Sequence, residues 1–176
     1  MTAPFTAEDT KFSIELLVNA SFKSGRRAGH ELVKDINVVS PTEINWRMEK
    51  PYAPYPSILA WTFMVPQHIL GKEKDPNTAA FNSTPVGTGP FKWGERVPGD
   101  HILLAANDKF FDKGPYVERL VFKYIPDLTV LFTQFQTGEI DYIGLQGITP
   151  DHYDEAKGLA DRNVMPVPQP LDSPRR

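Results

Sequence analysis

The sequence predicts an α+β fold, mixed α/β in character and built from short elements, and three observations predict it. Segments in which apolar residues recur every three or four positions stand beside segments in which they alternate, so helices and strands are both encoded. Seventeen prolines among 176 residues are about twice the usual share, and they break the chain into short elements joined by rigid turns. Hydrophobic residues make up 40% and charged residues 23%, which allows a core and argues against a disordered or coiled-coil chain.

The elements follow in order. Thr6 ahead of Ala7-Glu8-Asp9 reads as a capping residue with acids in the first turn, and Phe12, Leu16 and Ala20 share a face, so residues 7–19 are predicted helical. Ile36-Asn37-Val38-Val39 runs into the turn-forming Ser40-Pro41-Thr42-Glu43, after which Ile44, Trp46 and Met48 alternate with Asn45, Arg47 and Glu49. This pattern predicts a β-hairpin with one buried face. The apolar run 58–65 reads as a short helix leading into a strand, and Pro66 to Gly71 as one helical turn. The polar stretch 72–84 reads as a connection, with a boundary between subdomains near residue 75. Strands are predicted over 89–94, 101–106 and 119–125, antiparallel in first appearance, with turns at Pro98-Gly99-Asp100 and Asp112-Lys113-Gly114-Pro115. Asp127 caps a helix whose Leu128, Leu131, Phe132 and Phe135 fall on one face, and Gly138 marks its end. A strand over 139–143, a helix over 151–157 and an extended piece over 163–167 complete the chain.

Composition and spacing exclude several functions. No stretch approaches the roughly 18 to 20 consecutive apolar residues of a membrane helix, and the first ten residues lack a basic start followed by an apolar run, so no export signal is expected in the chain as written. A net charge of −3 without a concentrated basic face argues against a nucleic-acid partner. The one basic cluster, Lys23, Arg26, Arg27 and Lys34 around His30, reads as a solvated face, with contact to an anionic partner as the alternative. Absence of cysteine excludes disulfides, thiolate chemistry and cysteine-ligated metals. His30, His68, His101 and His152 have no second ligand at metal-binding spacing, so neither metal nor cofactor is expected. No serine sits in a nucleophile elbow, and acid pairs such as Asp154-Glu155 diverge by about 100° on a helix, so no enzyme chemistry is expected. Gly87-Thr88-Gly89 leads into the strand-like Pro90-Phe91-Lys92-Trp93 rather than a helix, which suits a turn and not a phosphate cradle. The aromatic residues Tyr52, Tyr55, Trp61 and Phe63 suit either a core or a ligand wall.

The order of motifs carries more information than any single one. Phe5-Thr6-Ala7-Glu8-Asp9, Glu49-Lys50-Pro51-Tyr52, Pro85-Val86-Gly87-Thr88-Gly89-Pro90-Phe91, Gly99-Asp100, Ile125-Pro126-Asp127 and Gly138-Glu139-Ile140-Asp141 together resemble the family 5 extracytoplasmic solute-binding proteins of peptide and nickel ABC transporters. The resemblance spans about residues 4–167. It implies part of a two-lobed, periplasmic-binding-protein type II-like fold: a small inserted subdomain of the first lobe over 1–75, part of the first-lobe sheet domain over 76–148, and the start of a crossover to the second lobe with a tail over 149–176. It implies capture of a small-molecule or short-peptide ligand without catalysis or cofactor, an ABC transporter permease as partner, and a periplasmic or extracytoplasmic location for the parent protein.

By this resemblance Tyr142, Gly144, Leu145 and Gln146 line the ligand cleft beside the hinge, Gln146 as a hydrogen-bonding group and Gly144 as a point of close approach. Trp61 and Thr62 fall in a region through which some nickel-binding members reach their ligand by an arginine, and this stretch contains none. An apolar face left uncovered predicts a homodimer or exchange of elements between copies. The alternative function is a non-transport interaction or sensory module that retains the lobe fold.

Overall fold

Capping sets the start of the first helix. Thr6 is extended, with φ −134°, ahead of α1 (Ala7–Val18), and Asp9 reaches back so that its Oδ2 accepts the Thr6 backbone N–H at 2.8 Å and the Thr6 hydroxyl at 3.2 Å. The Oδ1 of the same buried carboxylate accepts the Gln67 N–H at 2.9 Å, at the start of α3 (Gln67–Leu70). One side chain therefore satisfies donors at two helix N-termini that no helical carbonyl can reach, with its charge aligned to both helix dipoles. These elements belong to a computed structural model that describes residues 3–144, 147–159 and 161. It divides into two units, residues up to 96 with 103–121, and residues 97–102 with those from 122 onward.

In the first unit, strands β1 (Val33–Ser40) and β2 (Glu43–Met48) pair antiparallel, with Val33 opposite Met48 and Ser40 opposite Glu43. The register shifts between Lys34 and Asn37, where Asp35 takes φ 50° and its carboxylate accepts from Arg47 Nε at 2.8 Å. Ile44, Trp46 and Met48 turn inward while Asn45 and Arg47 stay exposed, as the alternation predicts. The α1 helix lies against this hairpin: the Ala7 N–H donates to the Pro41 carbonyl at 2.8 Å, and Ile14 packs with Val33 and Tyr55 under Ile36, Trp46, Met48 and Leu59.

Helix α2 (Tyr55–Ala60) follows, starting just after Pro54. The strand predicted at the end of the run 58–65 does not form. Residues 62–66 join no ladder: the buried Ser13 hydroxyl, donating to the Asp9 carbonyl at 2.6 Å, accepts the Val65 N–H at 2.8 Å, and Pro66 has no N–H to offer. The helical turn predicted after Pro66 is α3.

Strands β3 (Phe91–Val97), β4 (His101–Ala106) and β5 (Arg119–Lys123) form a second sheet in that order. The Ala106 N–H donates to the Glu118 carbonyl at 2.8 Å and the Tyr124 N–H to the Asp100 carbonyl at 2.7 Å, a pairing order that makes β4 and β5 antiparallel.

The second unit contains α4 (Leu128–Thr137), bounded as predicted: Asp127 Oδ1 accepts the N–H groups of Thr129 and Val130 at 2.8 and 3.0 Å, and Gly138 closes the helix at φ 82°. Phe132 and Phe135 are buried, the Phe132 ring stacks on His152 at 4.5 Å, and Gln136 donates to Glu155 at 2.8 Å. A 3-10 turn over Pro150–His152 leads into α5 (Tyr153–Lys157), on which Ala156 is buried. The strand predicted over 139–143 is not formed. The N–H groups of Glu139 and Ile140 both go to the Gln134 carbonyl, at 2.9 and 3.2 Å, so the helix terminus takes the donors a ladder would need. The extended piece predicted over 163–167 lies outside the described residues.

Candidate functional site

The loop 25–29 and the C-terminal end of α2 enclose a depression of about 330 Å³ in the first unit, lined by Arg26, Ala28, Pro54, Ser57, Ile58, Trp61 and Thr62. Two sequence-predicted site residues, Trp61 and Thr62, come together here. Trp61 is 73% exposed at the end of α2, and Phe63 beyond it is 72% exposed. Large aromatic surface left in water beside a concavity is the kind of wall that apolar parts of a ligand cover.

The arginine that the stretch 60–65 lacks arrives from elsewhere. Arg26 Nη1 donates to the Trp61 carbonyl at 2.6 Å, and its guanidinium carbon lies 5.0 Å from the Phe63 ring centroid. These two contacts fix the guanidinium at the rim of the depression, and among the described residues it has no carboxylate partner. A held, unneutralised guanidinium is suited to a carboxylate. Sequence reasoning missed this because the pair is 35 residues apart.

Lys23, Arg26 and Lys34 are exposed, as the reading of the basic cluster as a solvated face expects, while Arg27 is half-buried and His30 buried. Arg27 donates from Nε to the Leu17 carbonyl at 3.0 Å and from Nη2 to the Asn19 and Phe22 carbonyls at 2.7 and 2.9 Å, satisfying acceptors at the C-terminal end of α1. Lys34 pairs with Glu49 at 3.3 Å. His30 is 0% exposed beneath the depression, with Nε2 2.9 Å from Thr62 Oγ1 and Nδ1 3.3 Å from the Tyr55 hydroxyl. Burial holds the imidazole below its ordinary value of 6.5, opposed by the neighbouring Glu31 carboxylate, and burial pushes the Tyr55 phenol up. Thr62 is thus an anchored residue: its hydroxyl donates to the Ile58 carbonyl at 2.8 Å.

The other predicted stretch lies in the second unit. Tyr142 is 81% exposed, and among the described residues a Cβ on Gly144 would meet the Tyr142 ring alone, at 3.9 Å, which leaves its backbone open toward them. The Gly147 N–H donates to the Gly144 carbonyl at 3.1 Å, and a Cβ at Gly147 would collide with Ile143. Leu145 and Gln146 lie outside the described residues. Among the described residues no group of three or more histidine, aspartate or glutamate side chains could hold a metal, and no helix is long and apolar enough to cross a membrane.

Comparison with known proteins now adds to this geometry. The sequence profile of bacterial extracellular solute-binding proteins, family 5 Middle, matches residues 2–173. The oligopeptide-binding protein AppA of Bacillus subtilis is 31% identical over 144 residues, covering 80% of this chain and 26% of AppA. The nickel-binding periplasmic protein of Escherichia coli is 27% identical over 123 residues, covering 67% of this chain and 23% of its own. Among solved structures, Bacillus subtilis AppA in complex with a nonapeptide matches with a TM-score of 0.80 at 28% identity, over 88% of this chain and 31% of that one. NikZ from Campylobacter jejuni in complex with Ni(L-His) matches with a TM-score of 0.74 at 32% identity, over 78% of this chain and 27% of that one. The chain therefore spans between about a quarter and a third of the length of these relatives.

Proposed function

The chain belongs to the bacterial extracellular solute-binding proteins, family 5, and from that premise we propose that it contributes to capture of a small organic solute or short peptide for an ABC importer. The observation that carries this reading is the guanidinium of Arg26, fixed over Phe63 and against the Trp61 carbonyl at the rim of the depression. The nonapeptide of AppA and the histidine of NikZ share a carboxylate, and Arg26 takes such a group while Trp61 covers the apolar part of the solute. Tyr142, Gly144, Leu145 and Gln146 form the second ligand-facing stretch, with the exposed Tyr142 ring and the open backbone at Gly144 in its favour. In this reading residues 1–75 are the inserted subdomain, 76–148 belong to the first-lobe sheet and 149–176 begin the crossover. The protein works outside the cytoplasm, delivers to a permease and turns nothing over.

Calorimetric titration of the chain with short peptides, free histidine and its nickel complex tests the reading. Binding on the order of 1 mM is expected, and Arg26→Ala removes a charge-assisted hydrogen bond of about 1.5–3 kcal/mol, roughly tenfold or more in affinity for carboxylate-bearing solutes. Equal affinities for wild type and Arg26→Ala would overturn the assignment of Arg26.

Self-association is a separate part of the proposal. Phe111, Tyr116 and Val117 are exposed in the loop between β4 and β5, and burial against a second copy would remove apolar surface from water. Light scattering is expected to show a dimer whose population rises with concentration, and a clean monomer at high concentration contradicts it.

A further inference from the structure

His30 is fully buried, and the donors around it can be assigned from the protons available. Thr62 has one hydroxyl proton, which goes to the Ile58 carbonyl at 2.8 Å. Its Oγ1 therefore accepts from the imidazole 2.9 Å away, which makes Nε2 the protonated nitrogen and leaves Nδ1 to accept the Tyr55 O–H at 3.3 Å. Donation runs one way, from Tyr55 through His30 and Thr62 to the Ile58 carbonyl.

A second proton on the ring reverses the first step. Nε2–H still donates to Thr62, and the new Nδ1–H faces a tyrosine hydroxyl that must turn its own proton away. The second proton therefore leaves a charge with no exposure beside a Tyr55 ring that has little freedom to retreat. It meets the imidazole edge-on at 5.5 Å and Trp46 at 6.3 Å, both in T-shaped contacts. The titratable and charged groups around the ring are few. Tyr55 comes from α2, and exposed Glu31 follows in the chain and favours the charged ring. The Arg27 carbonyl accepts the His30 N–H at 3.0 Å, while the Arg27 guanidinium is committed to the Leu17, Asn19 and Phe22 carbonyls. Burial outweighs Glu31 and keeps the ring neutral.

We infer that His30 is a positioning residue for the wall formed by Trp61 and Thr62: its Nε2–H fixes the Thr62 hydroxyl from beneath, and the charge that protonation in mild acid buries at this unexposed ring loosens that wall. The contact stands on its own geometry, and only its consequence, weaker capture in acid, rests on the solute-binding reading. The direction in pH follows from linkage. A ring held below 6.5 in the folded chain is protonated first in the unfolded chain, so its contribution to stability is complete above 6.5 and is lost as pH falls from there through the folded value.

The test uses the 176-residue protein without solute. Nuclear magnetic resonance of isotope-labelled histidine nitrogens is followed from about pH 7.5 to about pH 5, together with amide protection at Thr62 and Val65 corrected for the intrinsic pH dependence of exchange. The expected result is an Nε2–H ring at neutral pH and a roughly tenfold loss of protection at both amides as the ring protonates, with the α1 amides unchanged. His30→Gln offers a side-chain N–H near the place of Nε2–H and does not titrate, so it keeps the protection and removes the acid step. His30→Leu fills the space without a donor and loses protection at both ends of the range. An Nδ1–H or charged ring at neutral pH overturns the inference without any variant. So does an acid step that persists in His30→Gln, or a His30→Leu protein as protected as wild type. Because no solute is present, failure here leaves the calorimetric test of solute capture intact, and the reverse holds as well.

Discussion

Ile14→Ala is expected to lower the unfolding free energy by about 2–5 kcal/mol, against a total of roughly 5–15 kcal/mol for a domain of ordinary stability. The side chain is 1% exposed and stands where α1, the β1–β2 hairpin and α2 meet, packed with Val33 and Tyr55 under Ile36, Trp46, Met48 and Leu59. Deleting three carbons there loses transfer energy and opens a cavity, and the second cost depends on whether the walls can close. They are tied on several sides. Ser13 next to it binds the Val65 N–H, Asp9 binds the Gln67 N–H, and the Ala7 N–H is fastened to Pro41. The upper half of the range follows from that. Urea denaturation should show a lower midpoint with unchanged slope, and Ile14→Val, which removes one carbon, should cost only about 0.5–1.5 kcal/mol. A loss under about 1 kcal/mol for the alanine variant would mean that the site collapses freely and that this cluster does not hold the unit together.

Elements specified by neighbours in sequence were legible, and those specified by distant partners were not. The cap at Thr6 and Asp9, the alternation Ile44, Trp46, Met48, and the bracket of Asp127 and Gly138 around α4 all act within a few residues, so local chemistry predicts them. The strands expected at the end of 58–65 and over 139–143 carry sound strand composition, yet their N–H groups are claimed elsewhere. Ser13 takes that of Val65 across 52 residues, and the Gln134 carbonyl takes those of Glu139 and Ile140. Composition says that a segment can extend; only a neighbour with free acceptors makes it a strand.

The candidate site divides along the same line. Trp61 and Thr62 were named from the order of motifs that resembles family 5, whereas Arg26 and His30 were hidden in a basic cluster whose spacing suggested solvent. What separates Arg26 and His30 from Lys23 is tertiary: one is held by the Trp61 carbonyl and the Phe63 ring, the other is enclosed by Tyr55 and Thr62. A glycine directly before the histidine was the one local sign that backbone and side chain there are constrained.

That glycine carries the second large effect: Gly29→Ala is expected to destabilise the protein by about 2–5 kcal/mol, from two separable causes. Gly29 has φ 88° and ψ −27°, a left-handed conformation that costs an L-residue about 1–2 kcal/mol. A Cβ there would also lie 2.7 Å from Ile58 Cδ1 and 3.1 Å from Tyr52 Cε1, and such overpacking costs about 1–3 kcal/mol. Gly25→Ala is the control, since nothing among the described residues lies within 4 Å of its added carbon, and it should change stability by less than about 0.5 kcal/mol. Ile58→Val removes Cδ1, so combining it with Gly29→Ala relieves the clash and leaves the backbone strain. The double variant should therefore lose less than the sum of the two single losses, by about 1 kcal/mol or more. Strict additivity would place the whole cost in the backbone, and equality with Gly25→Ala would remove both causes. The consequence reaches the site, because Ile58 lines the depression and its carbonyl ends the chain of donors from Tyr55. A methyl group that displaces Ile58 loosens the Thr62 hydroxyl at neutral pH, so Gly29→Ala alone should lose amide protection at Thr62 without acid, and Ile58→Val added to it should restore part of that protection.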